Sequence, residues 1–189
     1  MRVVAGDLRG RRIEGPEGEA TRPTTDKVRE AVFNALNSMN AVREERAIDL
    51  FAGSGALGIE ALSRGAAHCV FVENNRSALG VLRANLAALG LEGRSTVVVL
   101  DIAAQSSQQR LAELLTTTHL VLADPPYGYE HWGRLFDVVL SSAPSDVVLV
   151  AETESRCVIH ETAPNGWEMS RTRGYGRTSV GFFVRSELP

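Results

Sequence analysis

Cysteine is scarce in this chain of 189 residues, and its two cysteines, Cys69 and Cys157, lie in separate apolar segments. Two distant cysteines match neither a disulfide framework nor the spacing of a zinc site. No apolar run approaches the roughly 18 residues of a membrane-spanning helix, and the first residues lack the apolar stretch of a signal peptide. The sequence therefore predicts a cytoplasmic protein without a metal site or a membrane segment.

Lysine is almost absent, because Lys27 is the only lysine among the 20 basic residues. The net charge of −3 excludes a histone-like polycation, and a hydrophobic content of 44% argues against wholesale disorder. The arginines are uneven: residues 1–12 contain four arginines and one acid, and residues 171–185 contain four arginines and no acid. Arginine suits bidentate phosphate contacts, although genomic base composition explains its abundance equally well.

From residue 46 onward, short β-branched runs alternate with longer helical patterns. We predict strands at 46–51, 68–73, 95–100, 119–124 and 146–152, and helices at 56–65, 75–90, 105–115 and 130–143. This alternation indicates a doubly wound α/β fold, with a parallel sheet covered on both faces. Strand-like runs at 157–161 and 178–184, with turn residues at 164–166, predict an antiparallel hairpin at one edge, so the sheet is mixed. Ahead of the sheet, a glycine-rich arm precedes a helix predicted at 26–39.

A glycine loop stands where the first strand ends and the next helix begins. Gly53, Gly55 and Gly58 satisfy the pattern G-x-G-x-x-G, and Glu73 ends the following strand 20 residues later. Such glycines let backbone amides approach a ligand, and the downstream acid can accept hydrogen bonds from ribose hydroxyls. The loop therefore predicts a cofactor that contains a nucleoside.

Two further acids indicate which nucleoside it is. Asp49 begins the loop, where its carboxylate would repel the pyrophosphate of a nicotinamide cofactor but would suit a cationic amino acid. Asp101 ends the third strand, where its carboxyl can accept a hydrogen bond from the adenine amine. S-adenosylmethionine carries an ammonium and a sulfonium, and we predict it as the cofactor.

The most specific motif is the run Asp124-Pro125-Pro126-Tyr127 after the fourth strand. Two prolines fix the backbone and remove two N–H donors, so this corner presents a carboxylate, carbonyl oxygens and an aromatic ring. Asp124 and the Pro125 carbonyl can accept hydrogen bonds from both N–H groups of a planar NH₂ group, while Tyr127 stacks on the flat substrate that carries it. Holding that nitrogen in line with the sulfonium methyl group predicts direct methyl transfer without a metal.

The sequence resembles the RsmD-type methyltransferases, which modify the N2 amine of a guanine in 16S ribosomal RNA. The resemblance spans nearly the whole chain and is carried by residues 2–6 and 9–11, the block 22–36, the loop 49–65, the Asp-Pro-Pro-Tyr corner and Tyr175-Gly176. It implies a class I S-adenosylmethionine-dependent fold with a Rossmann-like sheet of seven strands. The sequence departs from the family pattern at Asn74-Asn75, where an acid is common after Glu73.

The resemblance also implies a division of labour along the chain. Residues 1–40 would form a basic arm and helix that grips RNA and covers the cofactor, and residues 41–189 would form the methyltransferase domain. We expect a flexible arm, a monomer, and a substrate within a small-subunit assembly particle. The candidate cofactor residues are Thr24, Thr25, Asp49, Phe51, Ala52, Gly53, Ser54, Gly55, Gly58, Glu73, Asn74 and Asp101. The candidate RNA-binding residues are Arg2, Arg9, Arg11, Arg12, Arg22 and Arg29.

Three alternatives remain open at this stage. The glycine loop and the Asp-Pro-Pro-Tyr corner also occur in DNA adenine and protein glutamine methyltransferases, so a DNA base-amine methyltransferase is possible, although 189 residues leave little room for a recognition domain. A nicotinamide oxidoreductase would share the glycine pattern. A noncatalytic assembly factor would keep the cofactor fold without needing Asp124.

Overall fold

Strands and helices alternate along the chain in the computed structural model, which describes residues 1–15, 26–154 and 164–186. The strands are β1 (Arg46–Leu50), β2 (His68–Glu73), β3 (Ser95–Val99), β4 (Leu120–Ala123), β5 (Val148–Glu154), β6 (Trp167–Tyr175) and β7 (Thr178–Arg185). The α-helices are α1 (Asp26–Ser38), α2 (Ala56–Ser63), α3 (Arg76–Leu89), α4 (Gln108–Leu115) and α5 (Trp132–Ser142), with 3₁₀ turns at Glu92–Arg94 and Gln105–Ser107. No helix in the described ranges is long and apolar enough to cross a membrane.

The seven strands form one mixed sheet in the order β3-β2-β1-β4-β5-β7-β6. β1 to β5 are parallel, and β7 pairs antiparallel with both β5 and β6. This arrangement confirms the predicted doubly wound α/β fold and its mixed sheet. The predicted boundaries of β1 to β5 agree with the structure to within two residues, and the helix predicted at 105–115 begins with the 3₁₀ turn.

The prediction was wrong about one strand of the C-terminal hairpin. The run 157–161 lies outside the described residues, and the strand that pairs with β7 is β6, at Trp167–Tyr175. The sequence did not predict β6, because most of its side chains are exposed and polar and the apolar alternation of a half-buried strand is therefore absent. Its connection to β7 is the two-residue turn Gly176-Arg177, in which Gly176 has a φ of 65°.

Two apolar clusters cover the two faces of the sheet. The first joins α1, α2 and α3 to side chains such as Phe71 and Phe182, and the second joins α4 and α5 to side chains such as Ile48 and Phe183. Because strand residues alternate between faces, strands buried on both sides are apolar throughout, as in β4. Trp132, at the start of α5, is buried in the second cluster.

The N-terminal arm, residues 1–15, folds back on itself. Arg2 and Arg12 form an antiparallel bridge, and the N–H of Val3 donates to the carbonyl of Arg11 at 2.9 Å. Val3 and Ile13 are buried in the same apolar cluster as α1 to α3. The arm therefore shares one core with the sheet.

α2 holds the arm through two buried side chains. The Glu60 carboxylate accepts hydrogen bonds from the N–H groups of Val4 and Ala5, and the Ser63 hydroxyl accepts one from Leu8. Gly6 passes so close that an added Cβ would lie 1.8 Å from the carbonyl oxygen of Ser63. The structure differs here from the flexible clamp expected from the glycine content, because the arm backbone is bonded to α2.

Candidate active site

The carboxyl ends of β1, β2 and β4 lie side by side at one edge of the sheet. Leu50, the last residue of β1, pairs in register with Val72 of β2 and Ala123 of β4. The next residues along these strands are the start of the glycine loop, Glu73 and Asp124. The topology therefore brings together the acids and the loop that the sequence placed at strand ends, which is where open α/β sheets bind ligands.

The glycine loop has a left-handed backbone at three positions. Phe51, Gly53 and Gly55 have φ values of 64°, 54° and 85°. Phe51 adopts this region although it carries a side chain, which costs of order 1–3 kcal/mol and commonly marks a functional site. A Cβ on Gly53 would contact nothing closer than the Phe51 carbonyl oxygen at 4.0 Å, so this part of the loop has open space in front of it.

Gly58 serves packing. A Cβ at this position would lie 2.3 Å from the Phe71 ring and 2.7 Å from the Cys69 sulfur. Its absence lets the first turn of α2 lie directly on β2, which is the role expected of the third glycine in this pattern.

Asp49 lies beneath the loop and is only 1% exposed. Its Oδ2 accepts a hydrogen bond from the N–H of Gly58 at 2.8 Å, so the carboxyl holds the first turn of α2 in place. Burial, opposed by this hydrogen bond, raises the pKa of Asp49 well above its ordinary value, and the charges of Asp124 and Glu73 raise it further. Asp49 is thus close enough to Asp124 and Glu73 for both charges to favour its protonated form, and a cation bound at this edge of the sheet would offset that repulsion.

Glu73 connects its own strand end to the glycine loop. Its Oε2 accepts a hydrogen bond from the N–H of Gly53 at 2.7 Å, and its Oε1 accepts from Asn74 and Asn75 at 2.9 and 2.8 Å. Asn75 in turn caps α3 by accepting from Ser77 and Ala78. The asparagine pair that departs from the family pattern therefore shapes the turn after Glu73, and Asn74 is exposed beside it.

Asp101 follows β3, the neighbour of β2 at the edge of the sheet. It is exposed, and its Oδ1 accepts a hydrogen bond from the N–H of Ala103 at 3.0 Å. It lies close enough to Tyr129 that its charge contributes to raising the pKa of that phenol. Asp101 therefore faces the same end of the sheet as the glycine loop and the corner after β4.

The Asp-Pro-Pro-Tyr corner leaves its aromatic ring in solvent. Asp124 and Pro125 are half-buried, whereas Pro126 is exposed and Tyr127 is 61% exposed. Tyr127 therefore does not fill the core. An exposed ring beside a carboxylate on a stiff turn is available for stacking against a flat ligand.

Tyr129 is a site residue that the sequence analysis missed. Its ring packs edge-on against Phe51 with centroids 5.1 Å apart and against Trp132 at 5.2 Å. Burial raises the pKa of Tyr129 to about 12, so its hydroxyl stays protonated at neutral pH. Tyr129 joins the corner after β4 to the glycine loop, and only its position two residues after Tyr127 could have indicated this from sequence.

Asn85 is a second missed residue, on α3 and 4% exposed. Its Nδ2 donates to the carbonyl of Ser54 in the glycine loop and to the carbonyl of Glu14 in the arm, both at 2.9 Å, and its Oδ1 accepts from the Glu14 N–H at 3.0 Å. One amide group therefore links the arm to the glycine loop. A lone asparagine inside a helical pattern carries no sequence signal for such a contact.

Arg29 contradicts its predicted role in binding RNA. The side chain is fully buried, its Nε lies 3.5 Å from Glu60 Oε2, and it donates to Asp26 at 2.8 Å and to the Arg2 carbonyl. Glu60 also receives a hydrogen bond from Arg64 at 2.7 Å. Arg29 therefore ties α1 to α2 and the arm, because a buried charge requires charged or hydrogen-bonding partners.

The other predicted RNA-binding residues of the arm are exposed. Arg2 donates to the carbonyl of Gly10, Arg11 donates to the carbonyl of Ala88 on α3, and Arg12 lies 3.8 Å from Glu14. Arg9 occupies the turn of the arm and is also exposed. Arg22, Thr24 and Thr25 lie outside the described residues.

The order of the strands, the glycine loop after β1 and the acidic strand ends define a protein with the Rossmann-like fold of class I methyltransferases. A family model described as "Conserved hypothetical protein 95" matches residues 1–184. The chain belongs to this family, which is the RsmD-type family that its motifs resemble.

Individual relatives match over almost the entire chain. YlbH of Bacillus subtilis (strain 168) is 36% identical over 98% of this chain and 99% of its own length. "Ribosomal RNA small subunit methyltransferase D" of Escherichia coli (strain K12) is 31% identical over 98% of this chain and 90% of its own length. The solved structure of yhhF from Escherichia coli has a TM-score of 0.80 and 30% identity, and the match covers 100% of this chain and 99% of that one.

Proposed function

We propose that this protein transfers a methyl group from S-adenosylmethionine to the exocyclic N2 amine of a guanine in small-subunit ribosomal RNA. The observation that carries the proposal is the meeting of the glycine loop, three interacting carboxyls and the Asp-Pro-Pro-Tyr corner at one edge of the sheet. Membership of the family and the printed name of the Escherichia coli relative support the substrate. We place the reaction in the cytoplasm and assign it to a monomer that acts on an assembling subunit.

The charges around the loop fit S-adenosylmethionine. This cofactor supplies an electrophilic methyl group on a sulfonium, and it also carries an ammonium. Glu73 and Asp124 place two carboxyl groups beside the loop, which attract those cations and would repel the pyrophosphate of a nicotinamide cofactor. The open space at Gly53 leaves room for a ligand close to the loop backbone.

Each acid has a distinct assignment toward the cofactor. We assign Glu73, which contacts Gly53, to accept hydrogen bonds from ribose hydroxyls, and Asp101, which follows the neighbouring strand β3, to accept one from the adenine amine. Asp49 acts from beneath by holding the first turn of α2. Phe51 and Tyr129 together form an aromatic wall between the loop and the corner.

The corner after β4 binds and orients the guanine amine. A guanine amine is a poor nucleophile because its lone pair is delocalised into the ring. Asp124 and the Pro125 carbonyl accept hydrogen bonds from the two N–H groups of this amine. These bonds orient the nitrogen and stabilise the positive charge that grows on it. Tyr127, which is exposed, stacks on the purine after the base has left its own stack.

The proposal is tested by following the label from S-adenosylmethionine that carries a labelled methyl group. The protein is incubated with small-subunit particles that lack the modification, and the RNA is digested to nucleosides. We expect the label in N2-methylguanosine. Label in duplex DNA and none in ribosomal RNA would overturn the proposed substrate, and binding of NAD without competition from S-adenosylmethionine would overturn the proposed cofactor.

Replacing Asn85 with alanine is expected to weaken S-adenosylmethionine binding about 10-fold. The change removes the donor to Ser54, and a lost hydrogen bond to a buried group costs about 1–3 kcal/mol. Calorimetric titration gives the dissociation constant, and thermal unfolding gives the loss of stability. Asn37→Ala serves as the control, because Asn37 is an exposed asparagine of α1.

Asn85→Asp tests the donor side of this side chain. It keeps an acceptor for the Glu14 N–H but removes the donor to the Ser54 and Glu14 carbonyls, so it should bind the cofactor as weakly as the alanine variant. A fall in melting temperature with unchanged cofactor affinity in both variants would reduce Asn85 to a purely structural residue.

A further inference from the structure

The outermost strand of the sheet carries a set of arginines that has no role in the site described above. β6 pairs with β7 on one side, and no other described strand pairs with its outer edge. We call Arg171 and Arg173 of β6, together with Arg177 of the turn, the hairpin arginines. All three are exposed, and residues 169–185 contain no acid.

The register of the strands places Arg173 level with Asp124. Arg173 pairs with Val180, Val180 pairs with Glu152, and Glu152 is one residue beyond the pair formed by Ala151 and Ala123. Three strand spacings of roughly 4.8 Å separate β4 from β6, which makes the lateral distance about 14 Å. Arg177 follows β6 at the same edge, where the carboxyl ends of β4 and β5 lie.

The hairpin arginines on β6 also lie on the arm side of the sheet. Arg171 and Arg173 are two residues apart and therefore share a strand face, and they pair with Phe182 and Val180. Phe182 and Val180 belong to the apolar cluster that includes α1 and the arm. The arm contacts α2 and α3, which follow β1 and β2, so β4 stands between the arm and the hairpin.

The charge of the hairpin arginines indicates the kind of partner that they bind. None of the three arginines forms an ion pair with another residue in the described parts of the chain, although the chain as a whole has a net charge of −3. A group of arginines without acids attracts a polyanion, and arginine forks match phosphate oxygens. The mostly exposed strand β6 adds a surface that a nucleic-acid backbone can follow.

We propose that the hairpin arginines bind the sugar-phosphate backbone of the substrate RNA beside the target nucleotide. This inference rests on the proposed function. Phosphate contacts on the β6 side of Asp124 would hold the strand in position while the target base leaves its stack.

The test measures how salt affects RNA binding by the double variant R171A/R173A. A fragment of small-subunit ribosomal RNA that contains the labelled guanine serves as the probe, and its binding is measured between about 50 and 200 mM salt, the range over which counterion release changes the affinity. Losing two phosphate contacts should reduce the slope of log K against log salt by roughly 1.5. The KM for RNA should rise, while kcat at saturating RNA and the dissociation constant of the cofactor stay unchanged.

Two further variants make the result specific. R43A/R46A removes the same amount of charge at the other end of the strands, where β1 begins. It should leave the slope unchanged. R171K/R173K keeps both charges and should keep most of the slope. The proposal is overturned if R171A/R173A and R43A/R46A have the same slope of log K against log salt. It is also overturned if the protein binds acidic lipid vesicles through the hairpin arginines but binds no RNA.

The outcome is separable from that of the proposed function. If wild-type protein fails to label guanine, the proposed function fails whatever the salt slopes show. If wild-type protein labels guanine and the R171A/R173A slope is unchanged, the hairpin proposal alone fails. Equal melting temperatures of the variants and the wild-type chain establish that a changed slope reports contact with RNA.

Discussion

Replacing Asp124 with alanine is expected to lower the rate of methyl transfer by at least ~10²-fold, which is the loss seen when one preorganised polar group is removed from a reacting centre. Asp124 follows the last residue of β4 and is close enough to Asp49 for its charge to raise the pKa of that carboxyl. In the proposed reaction it accepts a hydrogen bond from the guanine amine. The loss should therefore appear in single-turnover transfer of labelled methyl groups at saturating cofactor and RNA.

Asp124→Asn is expected to fall between the wild-type chain and the alanine variant. The amide keeps an oxygen that can accept a hydrogen bond but loses the charge that stabilises a developing cation. Asp137→Ala is the matched control, because Asp137 is an exposed aspartate of α5 outside the strand ends, and its rate should be unchanged. A noncatalytic assembly factor would show no dependence on Asp124, and equal rates for wild type and Asp124→Ala would favour that alternative.

Replacing Arg29 with alanine is expected to lower the free energy of unfolding by about 3–5 kcal/mol. The substitution leaves the Glu60 carboxylate buried with one of its two arginine partners removed, and it deletes the contacts of Arg29 to Asp26 and to the arm. For a chain of this length such a loss corresponds to roughly 10 °C in melting temperature. Urea unfolding followed by circular dichroism measures it.

Two comparisons identify the cause of that loss. Lys27→Ala removes an exposed cation from the same helix and should change stability by less than ~0.5 kcal/mol. The double variant R29M/E60Q replaces the charged pair with groups that are less costly to bury, and it should recover part of the stability. If Arg29→Ala keeps full stability but loses affinity for RNA, the original prediction for Arg29 is right and the structural assignment is wrong.

Arg29 also illustrates which properties a linear sequence leaves undetermined. It belongs to the block 22–36, one of the segments that carry the family resemblance, and its charge suggested a contact with RNA. Whether a helical arginine faces solvent or a partner depends on which element packs on that helix, and here α2 presents Glu60 to it. The exposed arginines of the arm and hairpin look no different in sequence from the buried Arg29.

The cofactor edge was predictable because its signals are local. Gly53 and Gly55 follow directly after a strand, and Glu73 ends the next one, so a parallel sheet necessarily brings them to the same edge. The contacts of Asn85 were not predictable, because its two partners, Glu14 and Ser54, are 71 and 31 residues away along the chain. Tyr129 similarly gained its place only when the corner after β4 folded against Phe51.

Periodic apolar runs and glycine spacing by themselves determined the order of β1 to β5 and their helices, the antiparallel strand at β7 and the location of the acidic loop, since these depend on local geometry and hydrophobic burial. The tertiary structure decided which charges are buried, where β6 pairs and how the arm rests on α2. Those outcomes depend on contacts between distant segments, and the energy of each contact exists only after both segments have been brought together.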